Sequence, residues 1–302
     1  MRPSIDSNVN RITGAIRYKP FRNLTLRTEY TKERRERERN HAEAWHLPDV
    51  TTRDIFTLSL YSRVLKKAKL SAKYVYQKTN QGNDNSVIHY EPQHSNQGIL
   101  SLSWTPFPWM TALLNYNITK DKTDGLQIRD YYGAVVGSAN DRERLKERLF
   151  GSVTFQLTEK LSLSPSYTYL YDEIEQDLVY DAWISGNLVD DGVKDKSKVQ
   201  NYAVNVMYVP ANNLSINAML NYTKSSGEFH PGISEALNPG SVALFSEVRK
   251  EEITCELEGT YNFRNGWNVG LIYRYTDYDD ESFDNPETGD CSSTMMMISK
   301  KW

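Results

Sequence analysis

The residues best suited to metal, haem or nucleophilic chemistry are five histidines and two cysteines, and their spacing supports none of these. His41, His46, His89, His94 and His230 fall in segments that read as long loops, with no cysteine or carboxylate partner at a spacing that a metal site uses. Solvated loop histidines are the expectation, and no metal site is predicted. No CxxCH is present, so the chain attaches no c-type haem itself. Cys255 shares an apolar face with Ile253 and Leu257, and Cys291 opens the final strand. A whole strand between them exceeds the usual Cα separation of a disulfide, so both are predicted to be free thiols. Nothing resembles a Gly-rich phosphate loop, an activated serine or a carboxylate pair. No catalytic residue is expected, although a rim enzyme assembled from distant loops would leave no spacing signature.

Two further segments carry potential chemistry. The run KERRERER (32–39) alternates in sign, which predicts a solvated, self-paired extension. Its other reading is an extracellular docking surface or a site for lipopolysaccharide phosphates. Within residues 228–248 a short helix is expected, capped by Ser234 and bounded by Pro239, which could fold into a mouth or onto a partner.

Composition bounds the class of protein. Of 302 residues, 36 are basic and 39 acidic, a near balance that gives no reason to expect nucleic acid as a partner. No stretch approaches the roughly 18 apolar residues that a membrane helix needs, so helical spans are excluded. The chain would pass for soluble except that it holds 20 tyrosines beside 9 phenylalanines and 6 tryptophans.

What must position these residues is a repeated phrase: YKPFRNLTLRTEY (18–30), WTPFPWMTALLNY (104–116), FQLTEKLSLSPSY (155–167), YVPANNLSINAMLNY (208–222) and YNFRNGWNVGLIYRY (261–275). Each has a turn followed by apolar residues at every second position, ending on tyrosine. Leu24, Leu26, Thr28 and Tyr30 oppose Thr25, Arg27, Glu29 and Thr31, a period of two that makes a strand with one apolar and one polar face. Thirteen strands are predicted, at 9–18, 24–33, 52–62, 69–78, 97–105, 111–120, 147–157, 161–171, 198–208, 214–224, 250–262, 267–277 and 293–302. Each is about ten residues, the length of a tilted strand crossing a bilayer. Short turns alternate with long loops, the plan of a transmembrane antiparallel β-barrel with periplasmic turns and extracellular loops. A soluble sandwich also alternates, but it does not sort its turns or its aromatics in this way.

The remaining residues follow from that fold. Trp104, Trp109, Trp267 and Trp302 gather at the short-turn rim, and Tyr30, Tyr74, Tyr116, Tyr169, Tyr222 and Tyr273 end the ascending strands. They are expected as the two aromatic girdles of a bilayer. Arg17, Arg27, Glu29, Lys73, Glu256, Glu258 and Arg274, with Asn115, Asn117, Asn205, Asn217 and Asn221, lie opposite the apolar face and are predicted to line a lumen, since charge in hydrocarbon is costly. Their mixed sign predicts no strong ion selectivity. Pro165 alone among the prolines falls inside a strand, where a bulge or local irregularity is expected. Thr294, Met296, Ile298, Lys300 and Trp302 alternate to a terminal aromatic, resembling the signal that barrel assembly machinery reads on a last strand; Lys300 is expected to snorkel.

Thirteen strands is odd where single-chain bacterial barrels are even, and Met1–Asn8 lacks the basic stretch and apolar core of a signal peptide. Together these predict a single barrel domain over 1–302 that is N-terminally incomplete. The repeated short turn, L-x-L-x-x-x-Y strand and long polar loop resembles the large outer-membrane barrels of the decahaem-associated MtrB/PioB type, across essentially the whole chain. The resemblance implies a non-enzymatic, porin-like sheath in the bacterial outer membrane, packed around periplasmic and extracellular multihaem c-type cytochromes in extracellular electron transfer. Haem would then come only through the partner, with lipid, lipopolysaccharide and assembly machinery as the other partners. A general diffusion or substrate-specific porin is the alternative.

Overall fold

A computed structural model describes residues 7–37, 49–65, 67–82, 92–129, 135–180, 188–229, 247–281 and 287–300. The described residues form one antiparallel sheet of thirteen strands in which each strand pairs with its neighbours in sequence. The strands are β1 (Ser7–Phe21), β2 (Leu24–Arg37), β3 (Val50–Leu65), β4 (Ala68–Gly82), β5 (His94–Phe107), β6 (Met110–Arg129), β7 (Val135–Thr158), β8 (Leu161–Tyr180), β9 (Leu188–Ala211), β10 (Leu214–Phe229), β11 (Val248–Asn262), β12 (Trp267–Asp280) and β13 (Glu287–Lys300). All thirteen predicted strands are present. β1 and β13 carry the two free edges of the sheet and run in the same direction.

Several predicted strands stop well short of the observed ones. β7 and β9 each run for 24 residues, so much of what reads as long loop is ladder. The apolar alternation used to set the boundaries ends where the side chains become polar, but backbone pairing continues past that point. His94 is accordingly the first residue of β5, stacked against Tyr76 at 6.3 Å between ring centroids, and is not a loop histidine. His41, His46, His89, His230, the predicted helix around Ser234 and Pro239, and Trp302 lie outside the described residues.

Five hairpins share one local device. Between Tyr18 and Phe21, Ser62 and Leu65, Trp104 and Phe107, Gln156 and Thr158, and Tyr208 and Ala211, the register slips by one residue beside a two-residue turn. An extra residue on one strand twists the pair into its turn. Pro20, Pro106 and Pro210 sit in three of these slips, where a missing N–H breaks no regular rung. Lys67 and Lys160 tie adjacent hairpins together by donating to the carbonyls of Pro106 and Pro210, both at 2.7 Å.

Of the bulge or local irregularity expected at Pro165, the structure shows the second. Pairing with β9 is continuous through Pro165↔Val204, and pairing with β7 resumes in the same register on both sides, from Ser152↔Ser166 to Phe155↔Leu163. The irregularity is two absent rungs without a slip. Ser164 bridges the gap by donating its hydroxyl to Thr154 Oγ1 at 3.0 Å.

Among the described residues the sheet has no second layer. Among the described residues only Ala68 and Val193 are buried apolar side chains, while Ile12, Ile16 and Met296 are 77%, 73% and 63% exposed. A soluble sandwich would bury such residues between its sheets. Here most of the large apolar side chains lie on one face, the arrangement of a wall that needs lipid.

At the outer end of β1 to β3 the polar face is pinned by charge. Glu33 is 2% exposed. Arg11 donates to its Oε2 at 3.0 Å, Arg53 donates to Oε1 at 2.6 Å, and Arg35 lies 3.9 Å away. The odd-numbered residues of segment 32–37 thus depart from the solvated, self-paired extension predicted for KERRERER, because they share a face with Arg11 and Arg53. By contrast, Lys32, Arg34 and Glu36 are exposed, and Arg34 pairs with Glu36 at 2.8 Å. Residues 38–39 lie outside the described residues. The hydrogen bond from Arg11 holds the Glu33 carboxyl below the ordinary carboxylate range; desolvation opposes this, and the charges of Arg53, Arg11 and Arg35 add to it.

Two outcomes follow from this fold. Leu114→Arg, on the apolar face, should destabilise the folded protein in lipid vesicles by about 2–4 kcal/mol, and Asn115→Arg should cost far less, as read by reversible urea unfolding; equal costs would refute the assignment of faces. Because the pKa of Glu33 is depressed on folding, the stability it contributes is present above the unfolded carboxylate value and is lost as pH falls through the folded one. Glu33→Gln should therefore lower stability by about 1–3 kcal/mol at neutral pH and flatten the acid limb of the pH–stability curve.

Candidate functional site

The cross-strand registers place every predicted lumen residue on one face. Arg17 is directly opposite Arg27, Arg27 opposite Ser59, and Ser59 opposite Lys73. Asn115 lies between Ser101 and Phe150, and Asn117 between Ile99 and Arg148. Asn217 faces Met207 and Glu258, and Asn221 faces Ala203 and Thr254. Arg274 pairs with Glu256. Parity along each strand then keeps Glu29 and Asn205 on that same polar face.

Much of this face is knitted by side-chain hydrogen bonds that run across strands, the pairs that stabilise a sheet surface. Asn201 donates to Asn221 Oδ1 at 2.6 Å and to Thr223 Oγ1 at 2.8 Å, and Asn205 donates to Asn217 Oδ1 at 2.9 Å. Gln97 donates to Asn117 Oδ1 at 3.3 Å. Arg274 holds Glu256 through Nε at 2.8 Å and Nη2 at 2.6 Å, and Arg27 pairs with Glu29. Like the Arg27–Glu29 pair, the bond that Glu258 accepts from Thr260 at 3.4 Å runs along a single strand. Lys73 is exposed. Near the short-turn rim a groove of about 540 Å³ opens on this face, lined among others by Arg22, Arg63, Lys69, Ser71, Ser103 and Asn115.

The opposite face is an apolar belt with a defined upper limit. Phe56, Leu58 and Leu60 in β3 match Leu149, Gly151, Val153 and Phe155 in β7 and Ile253, Cys255 and Leu257 in β11. Four alternate positions span about 20 Å of strand, the scale of the apolar band of an outer-membrane barrel. Above it the girdle tyrosines meet polar partners on the neighbouring strand. Tyr30 donates to Asp54, Tyr74 to Asn96 at 2.7 Å, Tyr116 to Glu147 at 3.3 Å and Tyr222 to Glu251 at 2.8 Å. Lys198 lies 5.8 Å over the ring of Tyr169. Sequence reasoning missed Asp54, Asn96, Glu147 and Glu251. The signal was present, because each precedes its strand's apolar run by two residues on the same face.

At the other rim Trp104 ends the belt on β5, Trp109 stacks 5.1 Å from Phe107, and Trp267 opens β12. Lys300 places its ammonium 5.3 Å over the Trp267 ring, an amphipathic side chain aimed at the rim. Tyr273, Met296 and Ile298 lie on the apolar face, with Leu271↔Met296 and Val269↔Ile298 in register. Cys255 and Cys291 are both free, on opposite faces and with β12 between them. Among the described residues no group of three His, Cys, Asp or Glu side chains could hold a metal.

Comparison with known proteins gives a family. No curated protein matches the chain. Among solved structures, the FpvAI–pyocin S2 complex is similar at 8% identity and a TM-score of 0.45, covering 97% of this chain and 59% of the other. Copper transporter OprC is similar at 11% identity and 0.40, covering 93% and 55%. OmpT, an outer membrane protein of Vibrio cholerae, is similar at 9% identity and 0.36, covering 96% and 94%. The chain thus spans under two thirds of the first two proteins, and likeness at these scores adds no argument. The sequence itself matches the MtrB/PioB outer membrane beta-barrel porin family over residues 2–299. That match covers nearly every strand, and by it the chain is a member of the MtrB/PioB family of outer-membrane β-barrel porins, an antiparallel wall located in the outer membrane.

Proposed function

We propose that the protein is a non-enzymatic wall whose polar face encloses a guest, and that the guest is a multihaem c-type cytochrome carrying electrons across the outer membrane. The observation that supports this most is the breadth of the polar face: small hydroxyl and amide side chains, self-satisfied by cross-strand hydrogen bonds such as Asn205 to Asn217 at 2.9 Å, run across the middle strands without converging on a reactive cluster. A surface whose polar groups already bond one another loses little when a protein displaces its water. The role of the family supplies the identity of the guest. The chain holds no haem covalently in this reading; the wall insulates the partner's haems from lipid.

Under the same proposal Arg17, Arg27, Glu29, Lys73, Asn115, Asn117, Asn205, Asn217, Asn221, Glu256, Glu258 and Arg274 line the lumen. The tyrosine and tryptophan girdles sit at the bilayer interfaces, and Met296, Ile298 and Trp302 belong to the strand read by the assembly machinery. A diffusion or substrate-specific porin is the second reading, favoured by the charged residues that remain exposed on the polar face, such as Arg17 and Lys73.

The test is capture of the tagged full chain from its native outer membrane, followed by a haem stain of the eluate. A copurifying covalent haem protein is the expected result. A folded barrel that carries no haem protein and admits small solutes freely would instead make it a porin.

A further inference from the structure

The registers sort the charges of the polar face in a way the linear sequence conceals. On β1 and β2 that face holds Arg11, Arg17, Lys19, Arg27, Arg35 and Arg37 against Glu29 and Glu33. On β3 and β4 it adds Arg53, Arg63, Lys69 and Lys73 with no carboxylate among the described residues. Four adjacent strands therefore present ten cations and two carboxylates. On β7 and β8 the same face again favours cations, with Arg142, Arg144, Lys146 and Arg148 against Asp172. Elsewhere the face is acidic: β6 and β9 each add one carboxylate, Asp121 and Asp195, and the β11 to β13 end holds Glu252, Glu256, Glu258, Asp280 and Glu287 against Lys250 and Arg274. The whole chain nonetheless has a formal net charge of −3, so the basic excess is a property of this face and not of the composition.

Geometry strengthens the bias within the basic wall. Arg17 and Arg27 are directly opposite each other, an arrangement of like charges that costs stability in a sheet. Both are exposed, and Lys73 continues the same row beyond Ser59. Nearer the outer end, Glu33 gathers Arg11, Arg53 and Arg35 around one carboxylate, leaving a local excess of positive charge. Cations held at fixed spacing along a wall raise the local concentration of anions and repel cations.

We propose that the unfilled lumen of this barrel is anion-selective and that the β1–β4 wall, with Arg17, Arg27 and Lys73 at its centre, sets the selectivity. The substrate class is small anions, chloride and compact carboxylates among them. This inference rests on the polar face lining a lumen and is independent of what guest the lumen holds. A barrel that captures no haem protein yet prefers anions refutes the sheath and keeps the selectivity.

The experiment is reversal-potential measurement on the purified full chain, without any guest, in planar bilayers under a KCl gradient. A chloride-to-potassium permeability ratio above about twofold is expected at low salt, falling toward unity as ionic strength rises. Arg17→Gln, Arg27→Gln and Lys73→Gln combined should lower the ratio, and Arg17→Glu, Arg27→Glu and Lys73→Glu should bring it to unity or below. These side chains are exposed, so the glutamine variant keeps the comparison open if the glutamate variant fails to fold. A preference for potassium, a ratio unmoved by the glutamine variant, or no conductance at all would overturn the proposal.

Discussion

Hydrocarbon offers no water to an unpaired amide, and each unsatisfied backbone group there costs several kcal/mol. The meander of β1 to β13, each strand bonded to its sequence neighbours, meets that requirement with local hairpins everywhere except along the outer edges of β1 and β13. It also explains where the irregularities lie. Register slips at five hairpins fall beside the turns, where the chain leaves the apolar belt, and three of them hold prolines that could not donate to a ladder. Further slips fall in the outer, polar extensions of β6–β7 and β8–β9. Pro165 lies within the belt, and its cost is limited to two rungs because pairing with β9 continues past it.

The same constraint governs the side chains. With one face given to lipid, polarity collects on the other face and above the belt. The upper limit of the belt is written twice, by a tyrosine on one strand and by an oxygen acceptor on the next, as in Tyr222 with Glu251 and Tyr74 with Asn96. Continued pairing beyond that line carries the sheet into water, which is why β7 and β9 extend to 24 residues although their apolar runs are short.

The architecture was legible from Leu24, Leu26, Thr28 and Tyr30 and their counterparts, because a period of two and a regular turn need only local information. The faces of Arg17 and Glu256 were legible for the same reason. The lengths of β7 and β9 were not, since a polar strand outside the membrane has no hydropathy pattern. Neither was the burial of Glu33, which depends on Arg11 and Arg53 from neighbouring strands. Mixed sign along the chain suggested an unbiased polar face, whereas the segregation of cations to β1–β4 emerges only when thirteen registers are aligned. Conversely, a helix around Ser234 rested on capping residues alone and falls outside the described residues.

The central claim is that adjacent residues of one strand face lipid and an aqueous lumen in turn. It is tested most directly by Leu220→Cys and Asn221→Cys, each in a Cys255→Ser, Cys291→Ser background, in the purified, guest-free full chain reconstituted in lipid vesicles and labelled with a charged, membrane-impermeant thiol reagent. The account predicts rapid labelling at 221 and protection at 220, reversed when a lipid-soluble reagent is used. Equal labelling at both positions, or protection at 221 in the empty barrel, would contradict it.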